Sequence, residues 1–315
     1  MREIYNALHK NLSAARLTYI LALICIAIFA AIKHFMVSPI ISDELLTKFG
    51  APTAIEIYNF QYWGIVSNSF VHYENGHFIL NLTGLILLGS YVERRIGFSK
   101  FFFLGLYSSL VSSAFQLAFS DDAGIGLSGV NYTLFGFIFY KSFYDLRFKM
   151  VTKNFTLMGM LFFIPICEYM NLYSDWNVAT IALISGFMVG AIFGMMDNFN
   201  SKIAKLSLII GFVFSIVSLI YTPWSSQWNC ALGIRNHDKG KTKEAKKYYE
   251  AAHVCNPQAN CANDNLKIIK VHELSGLALM AHNRGQYIKA RKYYDQILQI
   301  DPSNQWAINN KKRLP

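Results

Sequence analysis

The chain has 315 residues, 53% of them hydrophobic and only 15% charged, with a net charge of +10. A soluble domain carries about 25% charged residues, so this composition excludes a single soluble globular protein, whose surface it could not cover. The charge is also uneven, which points to an apolar part followed by a basic one.

In chain order, seven apolar runs occupy about 17–36, 76–92, 100–119, 125–143, 154–172, 177–196 and 203–222. Each is near the roughly 20 residues needed to cross a bilayer. The first is too long for the apolar core of a signal peptide and lacks a clear small-residue cleavage site, so it reads as an anchor. Arg2, Lys10 and Arg16 precede it, Arg94, Arg95 and Lys100 follow the second run, Lys141, Arg147, Lys149 and Lys153 the fourth, and Lys202 and Lys205 the sixth. The alternate loops are acidic. Basic residues stay on the cytoplasmic side, so the N-terminus is expected inside and, with seven spans, the C-terminal part outside.

Polar residues inside spans mark function by default. The second run opens "GHFILN", which sets His77 and Asn81 one helical turn apart on one face, and closes "ERRIG" (93–97). The fourth opens with Gly126-Leu127-Ser128-Gly129. Together with "WGIVSNSFVH" (63–72), these motifs resemble the rhomboid intramembrane serine proteases over roughly residues 17–200, with Gly64 where that family usually has an arginine. The resemblance implies a six-span core to which a seventh span is added, in the inner membrane of a bacterial cell. It makes Ser128 the nucleophile, His77 and Asn81 the oxyanion donors, and Gly126 and Gly129 the neighbours that let substrate and helices approach. It also implies that client proteins enter as transmembrane segments.

The same resemblance places the general base on the sixth span, in an A-H-x-x-G context. Here the stretch is "IALISGFMVGAIFG", with Ala182 and Gly186 in place and Leu183 at the histidine position. No histidine lies between residues 78 and 236. Gly186, Gly190 and Gly194 form small-residue steps suited to close helix packing. A serine without an activating base is a weak nucleophile, and Glu168 and Asp175 sit at the outer ends of spans. Two readings follow: a pseudoprotease that binds transmembrane segments, and an active endopeptidase that uses another base.

After Pro223 the composition changes. Residues 226–315 carry 15 Lys and Arg against 7 Asp and Glu, a net +8. "KGKTKEAKKYYEAAHVCNP" (239–257) matches "RGQYIKARKYYDQILQIDP" (284–302) at an offset of 45, which resembles the tetratricopeptide pattern with about 11 residues inserted near "QANCANDNLKI". The expected fold is therefore all-α: a polytopic membrane helix bundle over residues 1–223 and a small soluble tetratricopeptide-like helical domain over 224–315. Such hairpins dock protein partners, and the charge suits an acidic partner or anionic headgroups; a bare stabilising cap is the alternative. Nucleic acid is not expected as a partner. An antiparallel hairpin would bring Cys230 and Cys255 together, giving a disulfide in an oxidising compartment or else two buried thiols. The tail cysteines lack zinc spacing, and no metal or cofactor is expected.

Overall fold

A computed structural model describes residues 15–36, 41–152, 155–173 and 178–315; Arg2, Lys10, Lys153 and Asp175 lie outside these. The described residues form helices and no strand. They separate into two compact units, Met1–Thr222 and Pro223–Pro315.

The first unit opens with α1 (Arg16–Phe35). The loop that follows is folded into three short helices, α2 (Asp43–Lys48), α3 (Ala54–Tyr58) and α4 (Gly64–Ser67). Ser42 caps α2, and Thr53 with Glu56 forms a reciprocal capping box on α3, each satisfying backbone donors that a helix start leaves open. Glu56 also accepts from the Thr47 hydroxyl at 2.8 Å. Gly64 is pressed against Pro52, so that even a Cβ there would overlap the proline ring. The arginine usual in the resembling family therefore has no room.

The second apolar run is not one regular helix. It consists of α5 (Asn75–Gly84), a π turn at Leu85–Gly89 and α6 (Ser90–Ile96). Glu93, near its end, is 2% exposed. Its carboxylate accepts from Leu17 N at 2.9 Å, Thr18 N at 2.8 Å and the Thr18 hydroxyl at 2.7 Å. It thus caps the first turn of α1 from a distance. Arg95 lies 3.2 Å over the Tyr91 ring, and the Tyr91 hydroxyl donates to the Arg147 carbonyl at 2.7 Å.

Then come α7 (Phe98–Ser120), α8 (Ser128–Ser142), α9 (Leu146–Thr152), α10 (Phe155–Tyr173), α11 (Thr180–Phe199) and α12 (Lys202–Ile220). Among the described residues, four helices are long and apolar enough to cross a membrane: α1, α7, α11 and α12. Of the seven runs expected to span, four thus qualify alone among the described residues. The second run is interrupted, and the fourth becomes helical only at Ser128. The 15 residues of α8 reach about 22 Å, short of the roughly 30 Å hydrocarbon core.

Helix α8 is the hub. Residues 129–138 are all buried, the mark of a helix enclosed on every side. Its Leu134, Phe135, Phe137 and Ile138 share one apolar cluster with Leu104 of α7 and Leu183 of α11. At its end, Lys141 bonds Asp197 at 2.9 Å and Asn198 at 2.5 Å, while Lys100 reaches Asp197 at 2.7 Å. That cluster ties α7, α8 and α11 together.

The second unit contains α13 (Ser226–Asp238), α14 (Thr242–Cys255), α15 (Asn260–Asn283), α16 (Tyr287–Ile300) and α17 (Gln305–Lys312). Gly240 and Gly285 take φ of +71° and +69° at equivalent turns. Ala245, Tyr249 and Ala252 are fully buried, as are their counterparts Ala290, Tyr294 and Ile297. The inserted residues do not form a loop; they lengthen α15 to 24 residues. This changes the cysteine pairing. Cys230 is bridged to Cys261, with Cα atoms 6.4 Å apart, and not to Cys255. Cys261 sits on the first turn of α15, against buried Cys230, whereas Cys255 ends α14 with its sulfur exposed and 3.9 Å from Asn229 Nδ2.

Candidate functional site

The geometry centres on the loop 121–127, which delivers the chain to Ser128, the first residue of α8. Gly126 has φ +98°, a conformation that side-chain-bearing residues avoid. A Cβ there would also lie 2.7 Å from His77 Cε1 and 2.9 Å from His72 Nε2. The two imidazoles therefore press directly on the backbone two residues before Ser128. Their ring centroids are 5.2 Å apart.

The loop is fastened at two points by residues of the "WGIVSNSFVH" stretch to which the motif alone gave no individual role. Gly126 N donates to the Asn68 carbonyl at 2.9 Å, and Leu127 N donates to His72 Nε2 at 3.2 Å. Burial, helped by the neighbouring His77, pushes His72 down to about 3. The ring is neutral, which leaves a nitrogen lone pair for the Leu127 amide. The Asn68 side chain is 1% exposed, and neither of its polar atoms has a hydrogen-bond partner among the described residues.

Asn81 is engaged within the protein. Its Nδ2 donates to the His77 carbonyl at 3.0 Å. Asn131 of α8 donates to the Asn81 carbonyl at 2.9 Å and to Asn81 Oδ1 at 3.1 Å. An oxyanion role for Asn81 would have to use its remaining N–H. Asn131 had no sequence signal: a lone Asn in an apolar run announces a hydrogen bond, not its partner. Its Oδ1 has no partner among the described residues.

Ser128 is half-buried, and its hydroxyl has no hydrogen-bond partner among the described residues. The residue that follows it joins two helices. A Cβ on Gly186 would overlap the Gly129 carbonyl, one on Gly190 the Thr133 carbonyl, and one on Gly194 would come 3.1 Å from the Tyr140 ring. Backbones of α8 and α11 therefore touch, which only glycine permits. The Thr133 hydroxyl lies 2.8 Å from the Gly186 carbonyl and 2.5 Å from the Ser108 hydroxyl. Gln116 of α7 accepts from Ala182 N at 3.0 Å. Leu183, beside Ala182, is 1% exposed in the cluster that also holds Leu127 and Val130. Leu183 adds hydrocarbon to the packing of α8 on α11, where Ser108, Ser112 and Gln116 of α7 are buried polar neighbours. Glu168 accepts from the Thr180 hydroxyl at 2.7 Å, so it braces α10 against α11.

The family model of the rhomboid domain matches residues 59–200, from the end of α3 through α11. This chain carries a rhomboid domain. The rhomboid protease GlpG of Haemophilus influenzae is 28% identical over 206 residues, covering 63% of this chain and 99% of that protein. Residues 271–304 match a tetratricopeptide repeat. The rhomboid match encloses the serine loop, both imidazoles and Leu183, while α1 and α12 lie outside it. The chain is thus an integral membrane protein with a rhomboid domain and a C-terminal repeat of a kind that binds other proteins.

Proposed function

We propose that the rhomboid domain is a pseudoprotease that binds transmembrane segments of client proteins. Leu183 carries this reading. Peptide hydrolysis by a serine needs a group that takes its proton, and a buried leucine beside α8 has none to offer. The rest of the site has features of a receptor for another chain. The serine sits at a helix start, glycines bring backbones close, and the buried amides of Asn68 and Asn131 hold unspent hydrogen-bonding capacity. The bilayer supplies the second contact surface. The tail recruits a protein partner outside a bacterial inner membrane, with the N-terminus in the cytoplasm.

The test pairs a fluorogenic transmembrane substrate with a fluorophosphonate probe on wild type, Ser128→Ala and Leu183→His. Wild type should show no cleavage that depends on Ser128, since losing a triad member costs about 10⁴-fold or more. It should still bind the substrate, and Leu183→His should gain activity. Ser128-dependent cleavage by wild type overturns the pseudoprotease. A second reading, an active endopeptidase, is favoured by one contact: His77 lies against Gly126, the nearest imidazole to Ser128 in sequence. In that case cleavage should vanish in both Ser128→Ala and His77→Ala.

A further inference from the structure

The repeat match begins at residue 271, whereas α15 begins at Asn260. About three extra turns therefore project ahead of the repeat. They are anchored at their start, because Cys261 is bridged to Cys230 of α13. Along them Asn263, Leu266, Lys267 and Lys270 recur at helical spacing on one face. With His253 from the end of α14 and Ile300 from the end of α16, they line a groove of about 390 Å³. It is an open, shallow groove, at the low end of the usual pocket range of roughly 300–1,000 Å³.

The groove has an apolar floor, Leu266 and Ile300, and a basic rim. Of the acidic groups around it, Glu273 pairs with Lys246 at 2.8 Å, and Asp301 accepts from the neutral groups of Ser303 and Asn304 and keeps its charge. Asp264 stands 3.6 Å from Lys267, one turn away on the same exposed helix face, a geometry that contributes little. Lys270 has no ion-pair partner within 4.0 Å among the described residues. The tail's net +8 adds a field of the same sign.

We propose that the extension of α15 forms a docking groove for an acidic segment of a protein partner. One apolar side chain of that segment lies on Leu266 and Ile300, and its flanking carboxylates meet Lys267 and Lys270. Leu266 and Ile300 between the basic groups favour a segment that carries an apolar side chain over a headgroup alone. The proposal rests on the tail's reading as a docking module and is independent of what happens at Ser128.

The test uses the full-length protein in detergent micelles and a fluorescein-labelled peptide of glutamates interrupted by leucines. Its glutamine counterpart and phosphatidylglycerol vesicles are run beside it. Anisotropy should show saturable binding of the glutamate peptide. Combined Lys267→Glu and Lys270→Glu should weaken it about tenfold or more, while combined Lys289→Glu and Lys292→Glu should leave it within about twofold. Equal binding of the glutamine peptide overturns the proposal, as does equal weakening by both pairs, which marks diffuse charge. Binding to vesicles alone, lost with the groove pair, also overturns it in favour of lipid. Peptide binding that the groove pair leaves intact overturns the groove but spares the docking reading.

Discussion

His72 shows how one side chain can hold a functional loop and set a pH limit. It accepts the Leu127 amide as a neutral ring, and burial lowers it from 6.5 to about 3. The folded value lies below the unfolded one, so between these limits the unfolded chain takes up a proton that the folded chain refuses. The contribution to stability is constant above about pH 6.5 and falls by about 1.4 kcal/mol per unit below it. Unfolding midpoints in detergent should therefore drop between pH 7 and pH 5, and His72→Gln should remove about 2 kcal/mol of that drop. An unchanged slope in the variant would separate His72 from the effect. Some of this site was legible in the sequence: Ser128, His77, Asn81 and Leu183 all carry recognisable spacing. The fastening contacts were not. Asn68 and His72 meet the serine loop across more than fifty residues of chain, and Asn131 meets Asn81 across 50. Hydrogen bonds of that range depend on a fold, not on a period.

At the scale of elements, the α8–α11 contact is the least forgiving in the membrane half. Adding atoms at Gly190 pushes against the Thr133 carbonyl, which cannot rotate away as a flexible side chain would. Gly190→Val should destabilise by more than about 2 kcal/mol, read as a lower thermal midpoint in detergent. Gly105 of α7 faces open space, so Gly105→Ala should be neutral or slightly stabilising. A similar penalty at both positions would mean that the Thr133 contact does not govern the response. The glycine spacing on the sixth run was readable in advance, as was the 45-residue repeat of the tail. The π turn and the long α15 were not. Apolar composition does not distinguish one continuous span from α5 and α6 joined out of register. Nor does "QANCANDNLKI" announce a helix, since Asn favours turns and caps as much as helix interiors. The pairing of Cys230 with Cys255 was read from the hairpin of α13 and α14 alone, whereas the lengthened α15 brings Cys261 to Cys230.

For the molecule as a whole, orientation is the property that joins its two units in function. A tail outside the cytoplasm should let a membrane-impermeant maleimide modify exposed Cys255 on intact spheroplasts; protection until the membrane is broken would place it inside. The folded loop after α1 and the fastened serine loop were recognisable only as a motif, because their capping and buried bonds belong to three-dimensional neighbours. The disulfide adds about 3.5 kcal/mol by closing its loop of 31 residues. It also gives the protein a history. With the outward tail proposed above, a chain exported N-terminus first presents Cys230, then Cys255, then Cys261. Oxidation that outruns folding joins the first two and strands the third, so the nearest thiol in time is the wrong one. Maturation of the tail then becomes a matter of timing: either α15 forms before the oxidant arrives, or an exchange reaction moves the bond onward afterwards.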